Sequence, residues 1–347
     1  MGFQITLQPG GSAFTAEPGE VLLDAALRQG LAWPHGCRDG ACGACRGKVL
    51  SGPFDPGSPG FALTPAERAA GETLLCQTRA LGDLALAACT PRAVGEPPVK
   101  TLPARVERLE RLAPDVMRLE LRLPGQESFE YRPGQYLDIL LKNGQRRAFS
   151  LASRAQPGAL LELHVRHVPG GVFTDHVFNR MQPREILRLR GPYGRFGLSE
   201  AGPRPALLVA GGTGFAPLKA IVEAEIAAGL KRPLFLYWGG RRAADLYLAE
   251  LAAAWAGTYP QIVFVPVLSD PGDEEWHGRR GLVHAAAMDD HPDLAGFEVC
   301  VSGPPGLVAA ARRDFIGQCH LAAQDFHADA FEFFSAVSPS TASSATG

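Results

Sequence analysis

Along this chain the spacing of apolar positions changes character three times. Phe3, Ile5 and Leu7 alternate with polar residues, and a second alternating run follows from Ser12 to Ala16 across the turn Pro9-Gly10-Gly11, the pattern of a β-hairpin. Leu22, Leu23, Ala26 and Leu27 then recur at helical spacing between Val21 and Gln29, and Gly30 closes the predicted helix. A glycine-rich stretch intervenes. Beyond it come strand-like Lys48-Val49-Leu50, a Pro/Gly-rich excursion from Ser51 to Gly60, a short helix from an N-cap at Thr64 to Ala70, and a strand carrying Cys76. Hairpin, helix and returning strands predict a small mixed sheet over residues 1–94.

Residues 95–103, with Gly95-Glu96-Pro97-Pro98 and Pro103, have linker composition. From Ala104 to about residue 200 the period is two in short runs such as Val116 to Leu123, Tyr136 to Leu141 and Leu160 to Val165. Pro124-Gly125 and Pro133-Gly134 punctuate these runs, so an antiparallel β-barrel is expected. From residue 201 to 334 the strands become apolar on both faces: Ala206 to Ala210, Leu234 to Trp238, Gln261 to Leu268 and Phe297 to Ser302. Helical patterns separate them, among them Pro217 to Leu230 with Ile221, Val222 and Ile226 on one face. Doubly buried strands alternating with helices predict a doubly wound parallel sheet, which takes ligands at the carboxyl ends of its strands. Ser335 to Gly347 has no periodicity and reads as a disordered tail.

Composition narrows the function. At 347 residues, 46% hydrophobic and 20% charged, the chain fits two or three soluble globular domains. Lysines and arginines number 34 against 36 acids, so no basic field recommends nucleic acid. No apolar run is long enough to span a bilayer and no secretory signal opens the chain, which points to a reducing cytoplasm. Seven cysteines in a chain of this length and kind do not read as a disulfide framework.

The chemistry concentrates between Pro34 and Lys48. Cys37, Cys42 and Cys45 are spaced C-x4-C-x2-C, with Cys76 farther on, the spacing of a plant-type [2Fe-2S] site. Gly36, Gly40, Gly43 and Gly47 suit a loop whose backbone must approach bridging sulfides closely. A structural zinc site would offer two short C-x2-C knuckles, and only Cys42 and Cys45 form one. Cys89, Cys300 and Cys319 stand alone in apolar surroundings as small core residues.

Further on, Arg147-Ala148-Phe149-Ser150, Gly170-Gly171-Val172-Phe173-Thr174 and Gly191-Pro192-Tyr193-Gly194-Arg195-Phe196 are weak signals one at a time. The same is true of Gly211-Gly212-Thr213-Gly214, Gly239-Gly240-Arg241-Arg242 and Ser302-Gly303-Pro304-Pro305. Their order is informative. Over about 335 residues the chain resembles the one-chain [2Fe-2S]/FAD reductases of the ferredoxin–NAD(P)H reductase superfamily, those of bacterial multicomponent oxygenases and of the CDP-6-deoxyhexose 3-dehydrase.

The resemblance implies a β-grasp ferredoxin domain, an antiparallel β-barrel FAD domain and an α/β NAD(P)H domain. It implies four cluster ligands, Cys37, Cys42, Cys45 and Cys76. Arg147 would pair with the FAD pyrophosphate, Phe149 would lie along the flavin in place of the usual tyrosine, and Ser150 would sit near N5. Gly171, Val172 and Thr174 would hold phosphate oxygens at a helix start. Gly212, Thr213, Gly214 and Arg241 would contact the nicotinamide nucleotide, Gly303 and Pro304 would line the nicotinamide, and Ser302 stands where the family often has cysteine beside the hydride path. One of the phenylalanines between Phe326 and Phe334 would shield the flavin ring. The implied activity carries electrons from NADH, rather than NADPH, through FAD and the cluster to a partner protein, an oxygenase or a sugar dehydrase, from a monomer. A stand-alone flavin or small-molecule reductase would not need the four cysteines. A simple electron carrier would need only the first domain.

Overall fold

The computed structural model describes residues 2–31, 33, 35, 40, 45–57, 63, 65–87, 97–125, 129–156, 158–199, 202–272 and 275–331. Cys37, Cys42, Cys89, the Thr64 cap, Phe333, Phe334 and the 335–347 tail lie outside the described residues.

The first unit holds β1 (Phe3–Gln8), β2 (Ala13–Ala16), α1 (Leu22–Arg28), β3 (Arg46–Ser51), β4 (Phe54–Asp55), α2 (Pro65–Ala69), β5 (Glu72–Leu74), β6 (Arg79–Ala80) and β7 (Leu84–Ala87). Its main sheet runs β2-β1-β7-β3-β5 and is mixed, because β1 pairs parallel with β7 while β1 and β2 form the expected hairpin. Alternation along β1 sends Ile5 and Leu7 inward, where they meet Leu22, Leu23 and Leu75. Cys76 departs from its expected strand. Strand β5 stops at Leu74, whose carbonyl accepts from the amides of both Gln77 and Thr78, and this turn carries Cys76 off the sheet.

The second unit contains β8 (Lys100–Ala113), β9 (Val116–Arg122), β10 (Tyr136–Leu140), β11 (Arg146–Ser150), β12 (Leu161–Arg166), α3 (Val172–Asn179) and β13 (Ile186–Tyr193). Every pairing in the order β11-β10-β13-β8-β9-β12 is antiparallel, and a bridge between Leu151 and Leu163 joins the two edges into a barrel. Strand β8 begins at Lys100, inside the stretch of linker composition. Pro103 fits there because at that position β8 has β13 on one side only, pairing with β9 starting at Arg105.

The third unit follows with β14 (Ala206–Gly211), α4 (Phe215–Ala227), β15 (Leu234–Gly240), α5 (Ala249–Thr258), β16 (Ile262–Leu268), β17 (Arg279–Arg280), α6 (Val283–Asp290), β18 (Glu298–Gly303), α7 (Pro305–Gln318) and β19 (Phe326–Ala330). All neighbours in the order β17-β16-β15-β14-β18-β19 are parallel. Leu207, Val209, Val299 and Val301 pack on one face of the sheet, Leu208, Ala210 and Cys300 on the other, so the sheet is covered on both sides. The chain leaves β14 toward β15 and later returns to β18 on its other side. The carboxyl ends of β14 and β18 therefore form the topological switch point at which such sheets bind ligands. Among the described residues no helix is long and apolar enough to cross a membrane.

Candidate functional site

Two of the four expected cluster ligands fall among the described residues, and the fold brings them together. Cys45 directly precedes β3 and Cys76 lies two residues beyond β5; those strands pair, and the Leu75 amide donates to the Cys45 carbonyl at 3.0 Å. Both cysteines are buried. A side-chain amide reaches toward the Cys76 sulfur, Gln77 Nε2 to Sγ at 3.8 Å, the kind of donor that stabilises a thiolate. Gly47 makes this packing possible, since a Cβ there would lie 2.6 Å from Leu75 Cδ1. Two buried cysteines on paired strand ends, with a donor aimed at one sulfur, fit a thiolate-held cluster. By contrast, burial pushes the thiols of Cys300 and Cys319 up, which leaves them inert in the core.

The barrel gathers the flavin candidates along one edge. Arg147 folds back on β11, donating to the Arg146 carbonyl at 2.9 Å and to Gln145 Oε1 at 3.1 Å. Phe149 packs on Phe173 with ring centroids 5.3 Å apart, tying β11 to the first turn of α3. That turn begins at Gly171, where a Cβ would meet Thr174 Oγ1 at 2.6 Å and the Val168 carbonyl at 2.8 Å. The backbone thus comes closer than any other residue would allow, and Val172 at the helix start is exposed, the kind of place where unpaired N–H groups suit an anion. The Thr174 hydroxyl donates to the Val168 carbonyl at 2.9 Å and accepts the Val168 amide at 3.1 Å, which holds the turn.

At the switch point, Gly212, Thr213 and Gly214 form a single 3-10 turn running directly into α4. A Cβ on Gly214 would lie 2.0 Å from the Ser302 carbonyl, and Gly303, at φ +155, stands 3.1 Å from the Gly211 backbone by the same measure. The Gly-Gly-Thr-Gly and Ser-Gly-Pro-Pro loops therefore interlock backbone to backbone, with Pro304 at the N-cap of α7. Trp238 donates to the Gly212 carbonyl at 2.9 Å and stacks on Phe215 at 3.8 Å, which stiffens the turn from below. Ser302 is fully buried, and its Oγ finds no partner among the described residues, an orphaned donor at the place where a ligand is expected. Arg241 lies apart at the end of β15, its side chain 79% exposed and 3.5 Å from Asp270. Asp245 accepts from the amides of Arg241 and Arg242, so it caps its own turn.

Two charged residues at this junction escaped the sequence reading. Asp329 on β19 stands in register with Ser302 on β18 and accepts a hydrogen bond from Ser150 Oγ at 2.9 Å. Ser150 of the barrel thus bonds a carboxylate that stands beside Ser302 in the neighbouring domain's sheet, while the Ser302 hydroxyl itself stays unpartnered among the described residues. Arg166, at the end of β12, reaches across to the nucleotide loop; its Nη1 is 2.9 Å from where a Gly212 Cβ would stand. Behind them lies a buried polar contact between barrel and sheet. Lys219 of α4 donates to the Ala152 carbonyl at 3.0 Å and pairs with Glu162 at 3.1 Å and Glu223 at 2.8 Å. His164 bridges Glu162 and the Tyr247 hydroxyl. Burial alone would raise the Glu162 carboxyl, but the His164 hydrogen bond and the Lys219 charge hold it down at about 2. His164, fully buried, is pushed below its ordinary value and stays neutral.

Comparison with known proteins matches this division. Residues 5–81 match the model of the 2Fe-2S iron-sulfur cluster binding domain, residues 103–197 the oxidoreductase FAD-binding domain, and residues 208–313 the oxidoreductase NAD-binding domain. The CDP-6-deoxy-L-threo-D-glycero-4-hexulose-3-dehydrase reductase of Yersinia pestis is 38% identical over 331 residues, 95% of this chain and 99% of that one. The terephthalate 1,2-dioxygenase reductase component 2 of a Comamonas species is 34% identical, covering 95% of this chain and 98% of its own. Among solved structures, an Amycolatopsis cytochrome P450 reductase superposes with a TM-score of 0.74 at 36% identity, covering 95% of this chain and 99% of that one. The chain belongs to the one-chain reductases of the ferredoxin–NAD(P)H reductase superfamily, oxidoreductases that join a [2Fe-2S] domain, an FAD domain and a nicotinamide domain in one polypeptide.

Proposed function

We propose that this chain takes electrons from NADH and passes them singly from its ferredoxin domain to a partner protein, an oxygenase component or a sugar 3-dehydrase of the kind its relatives are named for. The observation that carries the reading is the Ser150–Asp329 hydrogen bond, because Asp329 is the strand neighbour of Ser302 and the bond sets the barrel's flavin-side hydroxyl against the nicotinamide-side strand ends across a domain boundary.

Cys37, Cys42, Cys45 and Cys76 are the ligands we assign to the cluster. Arg147 supplies a positive charge for the flavin pyrophosphate, and the Gly171–Thr174 turn supplies N–H donors. Phe149 gives the flavin an apolar wall. Thr213, Gly212 and Gly214 cradle the nucleotide, with Arg241 at its outer end and Arg166 above the turn. Gly303 and Pro304 shape the nicotinamide side, where the buried Ser302 hydroxyl is available to a polar ligand group. Asp329 keeps the Ser150 hydroxyl pointed, and its negative charge beside the hydride path favours a positive nicotinamide over a neutral one. FAD supplies the conversion of a hydride into single electrons, and the cluster supplies their exit at low potential, on the order of −400 mV. A reducing cytoplasm suits four thiolate ligands.

NADH is favoured over NADPH. Arg241 stands 3.5 Å from Asp270, and Asp245 accepts the amides of Arg241 and Arg242, so two carboxylates sit among the arginines where a 2′-phosphate would have to bind. The test is reconstitution. The purified chain, NADH and a candidate acceptor should give acceptor turnover that Cys76→Ser abolishes while NADH-dependent ferricyanide reduction persists. Turnover surviving in Cys76→Ser would remove the cluster from the route.

A further inference from the structure

The ferredoxin domain meets the barrel through an aromatic contact that the reading above does not use. His35 stands two residues before Cys37, is buried, and donates from Nδ1 to the Trp33 carbonyl at 2.8 Å. Trp33 is itself locked in the ferredoxin core, so the ring of His35 is held by the domain that carries the cluster loop. That ring packs against two tyrosines of the barrel. Its centroid lies 5.3 Å from Tyr193 and 6.5 Å from Tyr136, and the two tyrosines are 5.5 Å apart.

Their place in the barrel gives the contact its meaning. Tyr136 and Tyr193 face one another across β10 and β13, and Tyr136 is also in register with Ser150 on β11. The same strand position that presents Ser150 to the flavin thus presents, one strand over, the ring on which the cluster-loop histidine rests. Gly194, at φ +89, makes room for Tyr136, since a Cβ there would come within 3.1 Å of its ring. Gln135 holds the turn by donating to the Gly194 carbonyl at 2.9 Å. Beside the contact the domains part around a cleft of about 500 Å³ lined by Arg28, Arg146 and Arg190 among others, across which Arg146 of the barrel stands 3.9 Å from Asp24 of the ferredoxin domain. The aromatic cluster is the close-packed part of this face.

We infer that His35, Tyr136 and Tyr193 form the seat that fixes the separation between the flavin site and the iron–sulfur loop. They act as positioning residues for internal electron transfer, and they neither bind the nicotinamide nor accept the electron themselves. The inference rests on the flavin placement proposed above. Electrons still enter as a hydride from NADH and leave one at a time through the cluster; the seat changes only how far apart the two stations stand.

The experiment uses the full-length protein loaded with FAD and cluster. Tyr193→Leu removes the ring from the barrel side, away from the cysteines, and Tyr193→Phe keeps it. Rapid mixing with NADH reads flavin bleaching, freeze-quench EPR reads cluster reduction, and hydrogen exchange reads the Trp33 amide. Tyr193→Leu should leave flavin bleaching at the wild-type rate, slow cluster reduction by about tenfold or more, as displacement of a positioned group does, and raise exchange at Trp33. Tyr193→Phe should behave as wild type. Should Tyr193→Leu unfold, His35→Ala with unchanged iron and sulfide content makes the same comparison. Equal cluster-reduction rates in wild type and Tyr193→Leu would overturn the inference, as would a matching loss of flavin bleaching, which would put Tyr193 inside the flavin site. A wild-type protein showing no flavin or no cluster signal would instead overturn the proposed function.

Discussion

Lys219 offers a quantitative test of how barrel and nicotinamide domain are joined. Its side chain is 5% exposed and its ammonium contacts two carboxylates and a carbonyl, with Glu162 13% exposed on the opposing barrel strand. Lys219→Met preserves the apolar stem but leaves Glu162 buried with a neutral histidine as its remaining partner. Breaking a buried pair in this way costs about 3 kcal/mol, whereas losing an exposed pair costs about 1 kcal/mol or less. For a unit of this size, about 3 kcal/mol corresponds to a melting point lowered by roughly 6–12 °C. Thermal unfolding of the FAD-loaded protein, followed by tryptophan fluorescence from Trp238 and Trp255 and by flavin release, measures the shift. The double variant Lys219→Met/Glu162→Gln removes both charges and should recover much of the loss, which a double-mutant cycle reports as coupling between the two sites. A drop no larger than that of an exposed pair, or a double variant less stable than the sum of the singles, would refute the picture of a buried interdomain lock.

Further expectations follow from the same geometry. Because burial holds His164 neutral, its folded pKa lies below its unfolded value near 6.5; the unfolded chain takes the proton first, and stability falls as pH drops below about 6.5. Melting curves from pH 8 to 5 should show that decline and His164→Asn should flatten it; an unchanged slope in the variant would assign the decline elsewhere. Arg147→Ala removes a charge-assisted contact worth about 1.5–3 kcal/mol, so FAD should dissociate on dilution, and retention of flavin at nanomolar protein would displace the pyrophosphate from this arginine. A higher kcat/KM with NADPH than with NADH in ferricyanide reduction would reverse the coenzyme preference and point to Arg242 as a 2′-phosphate ligand. Glu67→Gln should loosen the ferredoxin domain from α7, because Glu67 receives Arg46 at 2.8 Å and Arg312 at 3.7 Å; small-angle scattering that matched wild type would contradict this.

Much of this was legible in the chain itself, for physical reasons. A hairpin buries alternate residues, and Ile5 and Leu7 say so; a doubly covered sheet needs strands such as Ala206 to Ala210 that are apolar throughout. The spacing of Cys37, Cys42 and Cys45 is local, so it survives as a sequence pattern. Asp329 and Arg166 are not legible in that way. Each is one charged residue near a strand end, and only the closing of the barrel against the sheet sets Asp329 beside Ser150 and Arg166 above Gly212. The contact of His35 with Tyr193, 158 positions along, belongs to the same class. The local contact of the Thr174 hydroxyl with Val168 was likewise not legible in its motif. The Lys100–Pro103 segment misled because proline marks linkers, yet it also tolerates a strand position with a neighbour on one side only.

The central claim is that electrons cross this single chain from nicotinamide to flavin to cluster. Its most direct test is anaerobic mixing of the purified protein with NADH, following the flavin optically and the cluster by EPR, in wild type and in Cys42→Ser. The expected result is a protein with about two irons and two labile sulfides in which flavin bleaching precedes the rise of a reduced-cluster signal, while Cys42→Ser keeps the first event and loses the second. Zinc without labile sulfide, or a wild-type flavin that bleaches while no cluster signal ever rises, would contradict it.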